Sequence, residues 1–322
     1  MSLRMTLAAA AACLALSAQA ETWDMPTPYP DAQFHTKNIA QFAEEIAAAT
    51  NGDLTIRIHP AGSLFKHPEI KNAVRSGQAP IGEFFLSLLS NENPAFGADS
   101  QPFLATDYEQ AARLWAAQKP VVTALLEQQR LMPLFSVPWP PQSLYTTKPI
   151  NAVGDLAGVK LRTYNATLED FAARTGAAPT QVEVPDIPQA FSTGRVEAMI
   201  TSPSTGVTSS AWDYVSYYTD IQAWLPKNIV VVNKRAFDAL KPETQAAVLA
   251  AAAAAAAEAR GWEMSRAETA TQTAALAENG MTVVAPSPEL LAGLKEIGAA
   301  MLEGWKAQAG ENGAAILSAY GK

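Results

Sequence analysis

Residues 151–165 read NAVGDLAGVKLRTYN, and this stretch indicates how the chain is organised. Residues 155–158 have the composition of a turn, and the side chains that follow alternate between apolar and polar as in a half-buried strand. If the apolar side chains face a core, Arg162 lies on the opposite face near the carboxyl end of the strand, where open α/β sheets form ligand crevices. We interpret Arg162 as the clamp for an acidic small molecule. The alternative is a surface arginine paired with Asp155 or Glu169.

The first 20 residues have the features of a secretory signal peptide. One positive charge at Arg4 precedes an apolar, alanine-rich run, and small residues stand at the positions that a signal peptidase reads. The run is shorter than the roughly 20 apolar residues of a transmembrane helix. We predict cleavage after Ala20 and a periplasmic mature protein. A lipoprotein acylated at Cys13 is the weaker alternative, because Ala10 stands where leucine is usual.

Composition and charge exclude several classes of function. Cys13 is the only cysteine, so the mature chain has no disulfide, no thiolate metal ligand and no cysteine nucleophile, and a chain of this length can be stabilised by its core. There are 23 Lys and Arg against 31 Asp and Glu, and a formal net charge of −8 argues against nucleic-acid binding. The histidines lack the spacing of a helical ligand pair, and we predict neither a metal nor another cofactor.

Strands and helices alternate along the chain. A strand near residues 21–25, an amphipathic helix over 35–50 and an alternating strand over 54–60 form a βαβ pattern, which implies a parallel sheet. We expect the pattern to continue through a third strand at residues 81–85. The apolar run at 228–233 is typical of a buried parallel strand. The sequence therefore predicts an α/β fold.

Two features predict a division into two lobes. Three prolines within residues 138–141 suggest a stiff crossing segment between domains. Residues 242–279 have an uninterrupted helical pattern with a run of alanines, and at about 1.5 Å per residue such a helix is long enough to cross two lobes. We expect a first lobe of residues 21–140 with about 228–265, a second lobe of 141–227 with about 266–322, and a ligand cleft between them.

The order of several motifs resembles the extracytoplasmic solute-binding component of tripartite ATP-independent periplasmic (TRAP) transporters. In that family a turn and a strand carry a central arginine, as DLAGVKLR does at residues 155–162. A Gly-Ala-x-Pro segment follows at 176–179, and a helix ending in Thr-Gly precedes a strand at 191–197. The resemblance extends over residues 21–322. It implies a two-lobe fold like that of periplasmic binding proteins, with a long helix spanning both lobes.

The resemblance also implies that Arg162 makes a paired contact with a ligand carboxylate. A guanidinium suits this role because it offers two parallel donors and stays charged when buried. Many relatives have a second arginine where Gln142 stands, and often an asparagine where Thr201 stands. With these two neutral side chains the site suits a monocarboxylate with a neutral body. We expect Arg162 to provide the charge recognition alone.

Aromatic and apolar side chains are expected to form the walls of the site. Trp139 lies between prolines at the predicted crossing, a poor place for a core residue. Phe84 and Phe85 are neighbours in a strand and point in opposite directions, so we expect one of them to contact the ligand. Val184 ends the strand expected over residues 180–184 and completes the predicted ligand-binding set. Burial in a core is the alternative for each of these residues.

These observations together predict a carrier that closes around an organic acid and delivers it to membrane permease subunits. The resemblance implies that an ion gradient drives the uptake. One alternative is a periplasmic sensory binding protein with the same pocket. A secreted hydrolase is the other alternative, but no spacing supports an acid–base pair among Glu83, Glu183 and Asp186, and Ser202 lacks a G-x-S-x-G turn.

Overall fold

The computed structural model describes residues 20–253 and 256–322, so the signal peptide predicted up to Ala20 lies almost entirely outside the described residues. The described part contains eleven strands and ten α-helices. The strands are β1 (Glu21–Pro26), β2 (Leu54–His59), β3 (Ile81–Phe85), β4 (Leu131–Pro138), β5 (Ser143–Thr146), β6 (Lys160–Thr163), β7 (Ala178–Gln181), β8 (Ala198–Thr201), β9 (Tyr217–Thr219), β10 (Lys227–Asn233) and β11 (Thr282–Val284). The helices are α1 (Phe34–Ala49), α2 (His67–Ser76), α3 (Tyr108–Glu127), α4 (Ala166–Arg174), α5 (Ile187–Ser192), α6 (Pro203–Thr208), α7 (Lys234–Ala239), α8 (Pro242–Ala252), α9 (Ala257–Glu278) and α10 (Pro288–Tyr320).

The first strands form the predicted βαβ unit. β1 and β2 pair in parallel, and α1 connects them. The apolar positions Ile39, Phe42 and Ile46 of α1 are fully buried, as their helical spacing predicts. Each such side chain contributes about 1.5–3 kcal/mol when it is removed from water. The predicted βαβ unit and its parallel strand pair are therefore confirmed.

The third strand departs from the prediction. β3 does not extend the parallel pair, because it lies beside β10, and β10 pairs antiparallel with both β3 and β4. The parallel assignment of residues 81–85 and 228–233 is therefore wrong. Every residue of β10 is buried, and a central strand covered on both faces has the same apolar run whichever direction its neighbours take.

A six-stranded sheet in the order β11-β9-β5-β8-β6-β7 carries the predicted arginine. β6 lies between β8 and β7 and is parallel to both, with Arg162 opposite Met199 and Thr180. Because the carboxyl ends of parallel strands meet at one edge of a sheet, Arg162 lies near Thr201 at the end of β8 and near the residues that follow β7.

The single helix predicted over residues 242–279 is two helices. α8 ends at Ala252, Ala253 has an extended ψ of 156°, and α9 begins at Ala257. Alanine favours a helix locally, but its methyl groups do not fix one direction, so tertiary packing decides where the chain turns. α8 packs against α1 and β4, whereas α9 contacts α1 and β4 at one part of its surface and α6 and β11 at another. The helix that spans the fold is therefore α9, with 22 residues and a length of about 33 Å.

The sheets define the two lobes of the fold. We call the sheets of β1–β4 and β10 the first lobe and the six-stranded sheet the second lobe. α10 bends at Gly310 and contacts both α3 and α4. The residue boundaries of the lobes stay a prediction. No helix in the described part of the chain combines the length and apolarity needed to cross a bilayer.

Candidate ligand-binding site

A cleft with about 370 Å³ of empty space is lined by residues of both lobes. This volume includes space that is open to solvent and the enclosed part is smaller, so the cleft suits a ligand of few atoms. The lining residues are Tyr29, His67, Phe85, Trp139, Gln142, Arg162, Tyr164, Glu183, Val184, Thr201 and Thr205.

Six of the seven residues predicted from the sequence line this cleft, namely Arg162, Gln142, Trp139, Thr201, Phe85 and Val184. Phe84 does not. It is 1% exposed, packs in a separate hydrophobic cluster and borders a different surface cleft. The physical reason is the alternation of the strand, which sends Phe84 and Phe85 to opposite sides. Contact of the six lining residues with a ligand stays a prediction.

Arg162 is buried at the end of β6, with 1% of its surface exposed. Its Nε donates to the carbonyl oxygen of Val182 at 2.8 Å, and its guanidinium carbon lies 4.8 Å from the centre of the Tyr164 ring. Among the described residues, its other two nitrogens have no protein acceptor within hydrogen-bond distance. The alternative of a surface arginine is wrong, because Arg162 is buried and forms no ion pair with Asp155 or Glu169, both of which are exposed. Two donors are therefore available to a carboxylate.

The cleft contains charges of both signs. Burial lowers the pKa of Arg162, but an arginine remains protonated because its usual pKa is so high. Burial alone would raise the pKa of Glu183, but the hydrogen bond from His67 and the nearby charge of Arg162 lower it on balance. Glu183 is therefore ionised at neutral pH, and the cleft holds one carboxylate beside the guanidinium of Arg162.

His67 fixes the position of Glu183 across the cleft. Its Nδ1 lies 3.1 Å from Oε2 of Glu183, and its Nε2 accepts the backbone N–H of Phe85 at 3.0 Å. Because Nε2 must accept, the hydrogen of the neutral ring resides on Nδ1 and is donated to Glu183. His67 begins α2 in the first lobe, and Glu183 follows β7 in the second. This bond therefore joins the two lobes at the ligand site.

The aromatic wall is held by a buried polar network. The indole N–H of Trp139 and the hydroxyl of Tyr29 both donate to Oδ1 of Asn228 at 3.0 Å, and Nδ2 of Asn228 donates to Glu83 at 3.0 Å. The rings of Trp139 and Tyr29 meet edge to face, 4.9 Å apart. The His35 ring also contacts Trp139, with the ring centres 4.3 Å apart and the planes tilted by 45°. Contacts within the protein therefore hold the wall in place.

The remaining polar side chains are neutral. Gln142 donates from Nε2 to the carbonyl of Pro140 at 2.8 Å and accepts the hydroxyl hydrogen of Tyr164 at 3.2 Å, which leaves one N–H free. Thr201 is 97% buried, and its hydroxyl bonds to no protein group in the part of the chain that the structure describes. Both fit the expectation of neutral hydrogen-bonding groups beside a single arginine.

The structure does not bring together Glu83, Glu183 and Asp186, the carboxylates considered for a hydrolase. Glu83 is buried beneath the aromatic wall with Thr27 and Asn228, and Asp186 is exposed. Of these three carboxylates only Glu183 lines the cleft. Within residues 20–253 and 256–322, no group of three or more His, Cys, Asp or Glu side chains is placed to hold a metal ion.

Sequence reasoning missed several lining residues. Tyr164 carried a usable signal, since it stands two positions after Arg162 and shares its side of the chain. Tyr29 lies in a proline-rich loop, and His67 and Thr205 stand near the start of short helices, where no local pattern marks them. Their place in the cleft depends on the packing of the two lobes.

Two α/β lobes enclosing a small cleft, with a buried arginine, aromatic walls and polar groups that converge on it, define the class of solute-binding receptors. The model of the family described as "Bacterial extracellular solute-binding protein, family 7" (DctP) matches residues 27–308, and the chain belongs to this family. It is therefore an extracytoplasmic solute receptor of the TRAP transporter type, as the resemblance predicted, and the family is one of receptors rather than enzymes.

Solved structures of related receptors match over nearly their whole length. The solute receptor DctP7 of Bordetella pertussis, which binds pyroglutamic acid, is 46% identical, with 94% of this chain and 100% of that chain covered and a TM-score of 0.92. DctP6 of the same organism, which also binds pyroglutamic acid, is 42% identical, with 93% and 99% covered and a TM-score of 0.91. A TRAP solute-binding protein from a marine metagenome, specific for pyroglutamate, is 42% identical, with 94% and 99% covered and a TM-score of 0.91.

Proposed function

We propose that this receptor captures pyroglutamate, or a cyclic monocarboxylate close to it, and delivers it to the membrane permease subunits of a TRAP transporter. Its mature form starts after Ala20 in the periplasm. The observation that carries the proposal is the buried guanidinium of Arg162, which has two nitrogens without a protein acceptor among the described residues and lines a cleft of about 370 Å³. The three relatives of 42–46% identity, each described as binding pyroglutamate, support the choice of ligand.

The chemistry of the cleft agrees with such a ligand. The ligand carboxylate takes the two free donors of Arg162 in parallel. Trp139 and Phe85 offer apolar surface to a small ring. Gln142 and Thr201 supply neutral hydrogen-bonding groups for a carbonyl. No covalent step is needed, because the protein acts by binding and release.

Contacts across the cleft support capture by closure of the lobes, with boundaries near residues 140, 228 and 265. Besides the bond between His67 and Glu183, the amide of Asn165 donates to Ser87 at 2.7 Å, and the amide of Gln33 donates to Thr208 at 3.1 Å. Each bond joins the first lobe to the second. Closure of this kind excludes water and strengthens the attraction between Arg162 and a carboxylate.

Calorimetric titration of the mature chain with L-pyroglutamate, L-glutamate and D-glucuronate tests the proposal. We expect saturable binding of one pyroglutamate per chain, much weaker binding of the other two acids, and recovery of the ligand unchanged by NMR. Binding of glucuronate in preference to pyroglutamate would refute the ligand, and conversion of the ligand would refute a pure carrier. Uptake by vesicles that contain the permease subunits separates transport from a sensory role, because a sensor would support no uptake.

A further inference from the structure

The position of Glu183 is unexpected for a site that binds anions. Its carboxylate lines the same cleft as Arg162, and its side chain is 27% exposed. A second carboxylate in such a cleft repels an incoming anion, and this repulsion is strong where water is excluded. A site that only had to recognise an anion would place a neutral side chain here. The ligand therefore has to offer something that offsets this repulsion.

The local geometry places Glu183 beside the carboxylate clamp. The Nε of Arg162 is bonded to the carbonyl of Val182, the residue before Glu183, so the guanidinium and the carboxylate flank the same short segment. His67 occupies only Oε2 of Glu183. The side chain of Gln181 lies close enough to lower the pKa of this carboxyl as a weak donor, but among the described residues only His67 makes a hydrogen bond of good geometry with it. The Glu183 carboxylate therefore has acceptor capacity left for a donor of the ligand.

We infer that Glu183 accepts a hydrogen bond from an N–H group of the ligand, so that the receptor selects carboxylates that carry a ring amide N–H. This inference rests on the proposed function. A lactam satisfies both groups at once, because its carboxylate binds Arg162 while its N–H is donated to Glu183. The hydrogen bond to an ionised acceptor offsets the repulsion between the two carboxylates.

The arrangement excludes ligands of similar size. A lactone has a ring oxygen in place of the N–H, and its lone pairs face the carboxylate of Glu183. A dicarboxylate adds a third negative charge to the cleft. A ligand with an ammonium group would form an ion pair with Glu183 instead of a hydrogen bond from a neutral N–H. Such ligands are therefore a separate class, and their affinity has to be measured beside that of the lactam.

The test measures the affinities of L-pyroglutamate, its lactone analogue 5-oxotetrahydrofuran-2-carboxylate, and L-proline by calorimetry. The proteins are the unsubstituted mature chain, Glu183→Gln, and the exposed control Glu303→Gln. We expect the unsubstituted chain and the control to prefer the lactam over the lactone by about 10- to 150-fold, the range for one hydrogen bond to a charged group. In Glu183→Gln the preference should fall below about threefold, because the amide can turn its NH₂ towards the lactone oxygen.

The outcomes separate this inference from the proposed function. If the unsubstituted chain binds no pyroglutamate, both fail. If it binds pyroglutamate but shows no preference over the lactone, or if Glu183→Gln keeps the full preference, only the inference fails. Binding of L-proline more tightly than pyroglutamate would also overturn it, since Glu183 would then recognise an ammonium group. Absence of the preference on the unsubstituted chain would overturn the inference even if Glu183→Gln does not fold.

Discussion

Replacement of Arg162 by methionine should separate binding from stability in this receptor. Methionine is unbranched and can occupy much of the same space, but it removes the charge and all donors. Truncation of one partner of a buried charge pair costs about 2–5 kcal/mol of binding free energy, because the ligand carboxylate is left without a partner. The dissociation constant for the acid should therefore rise by roughly 30- to 5,000-fold.

The unliganded fold should tolerate the same substitution. The variant loses one hydrogen bond to Val182 and the contact with the Tyr164 ring, together about 2–5 kcal/mol. It also removes a buried guanidinium, whose desolvation opposes folding by several kcal/mol. Since these effects are of similar size and opposite sign, the melting temperature of the unliganded variant should stay close to that of the unsubstituted protein or exceed it.

Thermal unfolding with and without ligand measures both quantities. At a ligand concentration of about 100 times the dissociation constant, the unsubstituted protein should gain about 2.7 kcal/mol, or roughly 5 °C. Arg162→Met should show no gain at that concentration, whereas Arg174→Met, which removes an exposed arginine paired with Asp170, should keep it. The reasoning is refuted if Arg162→Met retains the ligand-induced shift, or if the unliganded variant is strongly destabilised.

Three further predictions concern other parts of the molecule. Gly261→Ala would place a methyl group in steric overlap with the Val137 side chain and should lower the free energy of unfolding in urea by about 1–3 kcal/mol, whereas Gly304→Ala meets no atom within 4 Å and should not destabilise. The pKa of Glu183 is lowered from 4.5, so its contribution to the free energy of unfolding is complete above that pH and is lost as the pH falls below it. In urea unfolding at acidic pH, Glu183→Gln should therefore lose less stability than the unsubstituted protein. Asn228→Ala removes one donor to the buried carboxylate of Glu83 and the acceptor that Trp139 and Tyr29 share, and should cost about 3 kcal/mol in thermal unfolding; an unchanged melting temperature would contradict the network.

The local sequence pattern was sufficient to predict those features of the structure that depend on residues adjacent in the chain. The turn and the alternation around Arg162 placed it at the end of a strand, and the adjacent phenylalanines were correctly expected to diverge. Proline-flanked Trp139 also lies at the cleft, as its surroundings in the sequence suggested. In each case the direction of a side chain follows from strand geometry and sequence spacing.

Features that depend on distant parts of the chain were not accessible in this way. His67 and Glu183 are 116 residues apart, and Tyr29 and Asn228 are 199 residues apart, so no window of sequence contains either pair. The direction of β10 relative to its neighbours cannot be predicted from its sequence, because a strand buried on both faces is apolar throughout whether its neighbours are parallel or antiparallel. The end of α8 at Ala252 was also not predictable from the local sequence. Alanine is compatible with a continued helix and with a helix end, and packing against other elements decides between them.

The division of the site between the lobes has a kinetic consequence. Arg162 belongs to the second lobe, whereas Trp139 and Tyr29 are anchored to Asn228 of the first. If the lobes open as proposed, the open receptor presents the guanidinium without the wall, so that charge sets the encounter rate and the wall slows departure after closure. Changes to the wall should then alter how long a captured acid stays bound, with little effect on the rate of binding.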